Sequence, residues 1–83
     1  MTRGMTLADL AHLSPARVAS FAPGSEHAIA LMQLGMVPGS QVRVVRAAPF
    51  GCPLQVDVDG AHLAIRRSVA ASVMVEPLES HTA

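Results

Sequence analysis

The sequence contains no lysine, tryptophan or tyrosine, and its only aromatic residues are two phenylalanines. Proteins that bind single-stranded nucleic acids usually stack bases on aromatic side chains, so this scarcity speaks against that class. The formal net charge is zero, with six basic residues, all of them arginine, against six acidic ones. A balanced charge provides neither the basic footprint of a nucleic-acid binder nor an electrostatic membrane anchor. We therefore expect no nucleic acid as a partner.

A single cysteine, Cys52, leaves no partner for an internal disulfide, which is typical of proteins from reducing compartments. The N-terminal stretch has too short an apolar run for a secretory signal, and it contains Asp9. No segment approaches the roughly 20 apolar residues that a membrane-spanning helix needs. We therefore expect a cytoplasmic protein without direct membrane insertion.

The chain is 83 residues long and 51% hydrophobic, which is enough for one small domain with its own core. We place that domain at residues 6–78 and expect flexible termini at 1–5 and 79–83. A domain of this size does not easily enclose a deep catalytic cleft. The sequence also contains no glycine-rich phosphate loop, no serine-centred elbow and no paired catalytic carboxylates. These observations predict that the protein is not an enzyme.

Alternating apolar residues predict five short strands separated by turn residues. The predicted strands span 16–21, 41–46, 54–58, 61–66 and 73–76, with helical turns at 6–13 and 67–71 capped by Thr6 and Ser68. Five strands in so short a chain favour a small barrel, since closure of the sheet removes exposed edges. Barrels of SH3-like and OB-like type both fit this count. One α-helix inserted between strands 1 and 2 favours the SH3-like barrel, so the predicted fold class is mainly β.

The one conspicuous helix is predicted to begin at Ser25 and to end at Gly35, with Pro38 preventing its return. Apolar side chains occupy much of its circumference, more than one small barrel needs to cover its core. The abrupt turn into the next strand would hold the helix at a fixed angle with one face outward. We therefore predict that this face binds a partner. The predicted partner-binding residues are Leu31, Leu34, Met36 and Val37.

A two-residue hairpin turn is predicted at Asp59-Gly60, and it fixes the register of the strands on either side. In that register Asp57 faces His62 on the outer side of the sheet. The pair has two interpretations. It is either half of a metal site or proton switch, or a solvent-exposed ion pair worth about a few tenths of a kcal/mol. The exposed ion pair is the more economical interpretation.

Residues able to bind a transition metal are scattered along the chain. The candidates for a metal site are His27, Cys52 and His62. No Cys-x-x-Cys or His-x-x-x-His spacing occurs, so a closed, high-affinity site is not expected. Met32 and Met36 are four positions apart and could offer two sulfur ligands, but packing explains methionines at such positions equally well. We expect no tightly bound cofactor, and at most weak binding of Fe(II) or another divalent transition metal.

Two neighbouring segments form a distinctive combination: LMQLGMVPGS at residues 31–40 and VRVVRAAPFGCP at residues 42–53. Together they resemble the FeoA family, the small cytoplasmic accessory proteins of bacterial ferrous iron uptake. The similarity continues through 63–67 and 73–76 and so covers roughly residues 6–78. The resemblance implies an SH3-like barrel and a protein that binds or modulates FeoB, the membrane Fe(II) transporter with a cytoplasmic GTPase domain. It also implies an association with transition metals, and it carries over no catalytic residue.

The sequence departs from the family pattern at two places. Cys52 stands where similar proteins often have aspartate, and Ala28 and Ala30 stand near positions where they often have basic residues. An apolar helix in place of a charged one implies a different contact with the partner, or self-association through the helix as a homo-oligomer. The main hypothesis is therefore an interaction module for a FeoB-type ferrous transporter. A small metal-binding or metal-responsive domain is the alternative.

Overall fold

The computed structural model describes residues 5–49 and 51–78 of the chain. These residues form six strands, one 3₁₀ turn and two short α-helices, so the protein is mainly β. The strands are β1 (Met5–Thr6), β2 (Ala16–Phe21), β3 (Gln41–Ala47), β4 (Leu54–Val58), β5 (Ala61–Ile65) and β6 (Val73–Pro77). The helical elements are the 3₁₀ turn (Leu7–Asp9), α1 (Ala28–Gln33) and α2 (Arg67–Ala70).

The strands form one antiparallel sheet in the order β1-β6-β2-β3-β4-β5. Apolar residues alternate along the longer strands because successive side chains point to opposite faces of a sheet. The register shifts between Val18 and Ser20 in β2 and between Val44 and Arg46 in β3. Such bulges bend a strand and increase its twist. Both lie in the middle of the strand order, where they help the sheet to curl around its inner face.

The inner face of the sheet encloses one hydrophobic core. Strands β2 to β6 contribute the buried side chains Ala16, Val18, Val42, Val44, Leu54, Val56, Val58, Ile65, Val73 and Val75. The turns and helices add Leu7, Leu10, Leu31, Met36 and Ala70 to the same cluster. Because the strands of a single sheet bury their inner residues in one cluster, the sheet must wrap around that cluster.

The predicted strand count of five is wrong by one strand. β1 has only two residues, and Met5 pairs with Val75 of β6. So short a segment shows no alternation, and only its pairing with β6 makes it a strand. α1 therefore lies between the second and third strands rather than between strands 1 and 2. Of the termini expected to be flexible, Met5 belongs to β1, and residues 1–4 and 79–83 lie outside the described residues.

The helical elements are shorter than the sequence predicts. The first ends at Asp9, whose Oδ2 accepts hydrogen bonds of 3.1 Å from both N and Oγ1 of Thr6. Ser25 does not cap α1, because its Oγ accepts a 3.2 Å bond from the N–H of His27, the residue just before the helix. Ser68 lies inside α2 and not at its N-cap. No helix within the described ranges has the length and apolar character needed to cross a bilayer.

Candidate functional site

The end of α1 is built around a glycine. Gly35 has a φ of 101°, a left-handed conformation that favours glycine. Its N–H donates to Met32 O, and the N–H of Met36 donates to Leu31 O, both at 3.0 Å. These are the two bonds of a Schellman motif, which satisfies carbonyl groups at the end of a helix. The predicted helix end at Gly35 is therefore confirmed.

The same motif decides which apolar residues of this segment are buried. In a Schellman motif the residue after the glycine packs against the last turn of the helix. Met36 is 0% exposed and Leu31 is 5% exposed, so both belong to the core. The prediction that Leu31 and Met36 lie on the outward face is therefore wrong. Leu34 and Val37, from the same predicted set, are exposed.

Ser40 ties the turn after α1 to the sheet. Its buried Oγ donates to Gly35 O and accepts from the N–H of Val37, each at 3.1 Å. Ser40 O accepts a 2.9 Å bond from the N–H of Val18, and the N–H of Gly39 donates to Val18 O at 2.8 Å. Both backbone groups of Val18 in β2 therefore hold the turn, which fixes the position of α1 relative to the sheet.

Large apolar side chains remain exposed on α1 and in the turn behind it. We call this set the helix patch: Ile29 (69% exposed), Leu34 (58%), Val37 (40%) and Met32 (38%). Ile29 and Met32 are three residues apart on the helix, a spacing that places their side chains side by side. Because Leu31 points into the core, the side of the helix with Ile29 and Met32 faces solvent. The sequence pattern alone does not indicate this orientation. Exposed apolar side chains grouped on one element are typical of an interaction site.

The β4–β5 hairpin has the predicted register. Asp59 (φ 50°) and Gly60 (φ 95°) form a two-residue turn whose positive φ angles match type I′. Asp57 faces His62 across the strands, with 3.8 Å between Oδ2 and Nε2. Arg43 of β3 approaches the same oxygen, with its Nη2 at 3.9 Å. The other carboxylate oxygen, Oδ1, accepts a 2.7 Å bond from the N–H of Gly60.

This polar cluster lies at the surface of the protein. The side chains of Arg43 and His62 are 50% and 65% exposed, and that of Asp57 is 21% exposed. Contacts near 4 Å between exposed groups contribute little to stability because water and salt screen them. The cluster offers a metal ion one carboxylate and one imidazole. Arg43 is a member that the sequence did not identify, because only the pairing of β3 with β4 brings it to Asp57.

Cys52 is exposed in the loop between β3 and β4. Its Sγ accepts a 3.3 Å hydrogen bond from the backbone N–H of Arg67 at the start of α2. The guanidinium of Arg67 donates from Nε to Gly51 O at 3.0 Å and from Nη1 to Ala8 O at 3.1 Å. Arg67 thus joins the loop, the 3₁₀ turn and α2. Sequence reasoning missed this role because the three segments are far apart in the chain.

The predicted metal candidates lie on different elements. His27 immediately precedes α1, Cys52 lies in the β3–β4 loop, and His62 lies on β5. Within residues 5–49 and 51–78, no group of three or more His, Cys, Asp or Glu side chains is arranged to hold a metal ion. The structure brings His62 to Asp57, but it does not assemble His27, Cys52 and His62 into one site.

Known proteins share both the sequence pattern and the fold. A family model described as the FeoA domain matches residues 5–77. The FeoA protein from Chlorobium tepidum is 35% identical with a TM-score of 0.84, over 94% of this chain and 74% of that chain. The FeoA-like protein from Clostridium acetobutylicum is 30% identical with a TM-score of 0.86, over 100% of this chain and 96% of that chain.

A third similar structure is that of Stenotrophomonas maltophilia FeoA complexed with zinc. It is 37% identical with a TM-score of 0.74, over 87% of this chain and 89% of that chain. That protein is described as a procaryotic SH3 domain protein, in agreement with the SH3-like type predicted from the sequence. The match to the family model and the shared fold lead to one conclusion: this chain belongs to the FeoA family, which is associated with ferrous iron transport.

Proposed function

We propose that this protein is a non-catalytic, cytoplasmic accessory protein of ferrous iron uptake that binds and modulates the GTPase domain of a FeoB-type transporter. The contact is made by the helix patch. One observation carries the proposal: in the described part of the chain, the exposed large apolar side chains are those of the helix patch and Leu13. Four of these five residues are therefore concentrated on α1 and the turn behind it.

The patch suits an interface because it is apolar and is held by a fixed element. Burying a large apolar side chain contributes roughly 1.5–3 kcal/mol, so covering several of them favours association. Leu31 and Met36 anchor α1 in the core, and Ser40 anchors the turn to β2. A surface that is already ordered loses little conformational freedom on binding. The two buried residues of the predicted set thus support binding by positioning the patch.

The composition of α1 also bears on how the partner is recognised. Its sequence, AIALMQ, contains no charged side chain. Electrostatic steering therefore contributes little at this face, and the affinity should depend only weakly on salt. We expect the affinity to change less than about threefold between low and moderately high salt, since apolar contacts are not screened.

Substitution of Leu34 tests the proposal directly. Leu34→Gln keeps the size of an exposed side chain but replaces its apolar end with an amide. We expect binding to the FeoB GTPase domain, measured by isothermal titration calorimetry, to weaken at least about tenfold, as for a central interface residue. Adding Ile29→Gln should reduce it further.

Leu13→Gln is the matched control, because Leu13 is 50% exposed and lies outside the helix patch. It should bind as the wild type does. Unchanged binding by a folded Leu34→Gln protein would rule out the patch as the contact. Equal losses in both leucine variants would indicate a general effect on the protein rather than a local one.

A second candidate function is weak transition-metal binding, and the zinc complex of the Stenotrophomonas maltophilia relative favours it. In this chain the paired ligands are Asp57 and His62, 3.8 Å apart. An anaerobic Fe(II) titration and a Zn(II) titration, followed by amide NMR, test this function. Shifts centred on β4 and β5 that disappear in His62→Ala would support it. Identical shifts in wild type and variant would exclude His62 as a ligand.

A further inference from the structure

β5 ends the strand order and pairs only with β4 in the described part of the chain. In a two-residue hairpin the residues flanking the turn form a hydrogen-bonded pair, and such pairs then alternate along the strands. The backbone groups of Leu63 are therefore hydrogen-bonded to those of Val56, whereas the N–H and C=O of His62 and Ala64 point away from β4. Within the described ranges, no backbone hydrogen bond from another element reaches β5.

The free edge of β5 lacks the devices that usually protect an edge strand. Natural proteins place lysine, proline, inward-pointing charges or bulges on such edges, because an open edge invites pairing with another chain. β5 reads AHLAI and contains none of these residues. Its pairing with β4 shows no register shift. His62 and Ala64 are exposed, and the small side chain of Ala64 leaves room beside the strand.

We propose that a second copy of this chain pairs with β5, antiparallel and across a two-fold axis that passes through Leu63. In this register His62 lies opposite Ala64 of the second copy, and Ala64 lies opposite its His62. Residues directly opposite each other in an antiparallel pair exchange both of their backbone hydrogen bonds. Every outward backbone group of His62 and Ala64 is then satisfied, and the two sheets become one continuous sheet.

The side chains complement each other in the same register. Leu63 is only partly buried and packs at the margin of the core. Across the two-fold axis it meets Leu63 of the second copy, so its remaining apolar surface is covered. The exposed Arg66, just beyond β5, comes opposite the Asp59-Gly60 turn of the second copy. The cationic end of each strand therefore faces the acidic turn of the other.

This interface is separate from the helix patch and independent of the proposed function. In the sheet, β3 and β4 lie between β5 and β2, to which the turn after α1 is bound. A pairing between two short strands covers less surface than a standard protein interface, so the dimer should be weak. We expect a dissociation constant on the order of 100 µM.

Analytical ultracentrifugation of the full chain tests the proposal. Protein concentrations from about 10 µM to about 1 mM cover both sides of the expected dissociation constant. The wild-type average mass should rise toward twice the monomer value. Ala64→Pro removes an N–H that the fold does not use, and proline is tolerated on edge strands. The Ala64→Pro substitution should raise the dissociation constant of the dimer at least about tenfold. Ala64→Ser keeps the N–H and is the matched control, with a wild-type constant expected.

Amide hydrogen exchange of the wild-type protein gives a second test that needs no variant. Exchange at His62 and Ala64 should slow as the concentration rises, while Ile29 in the helix patch should not change. A protein that stays monomeric at the highest concentration, or a dimer that persists in Ala64→Pro and dissociates in Leu34→Gln, would overturn the proposal. Protection of His62 and Ala64 only when the FeoB GTPase domain is added would also overturn it and assign the edge to that partner.

Discussion

The segment formed by α1 and its turn, residues 28–40, and the β4–β5 hairpin, residues 54–65, use apolar residues in opposite ways. In the hairpin the inward side chains are buried or partly buried except for Ala61 beside the turn, and the outward ones are polar or small. In the helical segment Leu31 and Met36 enter the core, while the larger share of the apolar side chains remains in water. The hairpin thus exposes no large apolar side chain, whereas the helical segment exposes more large apolar side chains than it buries.

The difference shows where each segment is open to another molecule. The helical segment presents side chains, since its backbone groups are occupied by the Schellman bonds and by the link to Val18. The hairpin presents backbone groups along β5, while its outward charged side chain, Asp57, already contacts His62 and Arg43 of β3. One small domain therefore has two surfaces with different chemistry, a sheet edge and an apolar patch.

The largest effect should come from removing the anchor of the helical segment. Met36→Ala deletes a fully buried side chain and should lower the free energy of unfolding by about 3 kcal/mol, from lost burial and the cavity left behind. Met32→Ala is the matched variant, since Met32 is 38% exposed and should cost less than about 1 kcal/mol. Urea denaturation measures both. Similar losses at the two positions would contradict the division between anchor and patch.

The glycine cap should come next. Gly35→Ala places a side chain at a φ of 101°, where nothing within 4 Å would obstruct it. The cost is therefore conformational and should be about 1–2 kcal/mol. Gly35→Asn should cost less, because asparagine adopts left-handed conformations more readily than alanine. In thermal unfolding the wild type should be the most stable, followed by Gly35→Asn and then Gly35→Ala. A Gly35→Ala protein as stable as the wild type would show that the left-handed conformation at this position carries no strain for alanine.

In the hairpin, two substitutions of Asp57 distinguish the stability contributed by its hydrogen bond from that contributed by its charge. Asp57→Ala loses the 2.7 Å bond to Gly60 N–H and should cost about 1 kcal/mol. Asp57→Asn keeps an acceptor for that bond and loses only the charge beside Arg43 and His62, so about a few tenths of a kcal/mol are expected. Denaturation at low and high salt distinguishes them. Equal losses would mean that the charge, and not the turn, dominates.

The smallest effect on stability is expected at the helix patch itself. Leu34→Gln should change the free energy of unfolding by no more than about 0.5 kcal/mol, because Leu34 is 58% exposed. The same substitution should have a large effect on binding to the GTPase domain. Chemical denaturation alongside the binding titration shows whether the two properties are separate. A loss above 1 kcal/mol in stability, taken as an approximate limit, would mean that Leu34 also supports the fold.

The hairpin could be predicted from its sequence almost completely, because its determinants are local. The Asp59-Gly60 turn fixes the register, and the alternation of apolar residues fixes the face, so the contact of Asp57 with His62 followed from both. The helix end at Gly35 was also predictable, since a left-handed cap has a strong residue preference.

The elements that could not be predicted depend on contacts between distant segments. β1 is a strand only because β6 lies beside it, and Arg43 reaches Asp57 only through the pairing of β3 with β4. Helical spacing alone suggested an outward Leu31 and Met36, but the Schellman turn carries Met36 back over the helix end and buries both. The buried role of Ser40 likewise depends on its position against β2.

The link between Ser40, Gly39 and Val18 has a mechanical consequence. A partner that holds the helix patch and pulls on it loads two short hydrogen bonds, from Val18 N–H to Ser40 O and from Gly39 N–H to Val18 O. Both end on one residue of β2, next to the bulge between Val18 and Ser20. Displacement of α1 would therefore also displace β2, at the bulge where that strand already bends. Val18 would be the hinge of this movement.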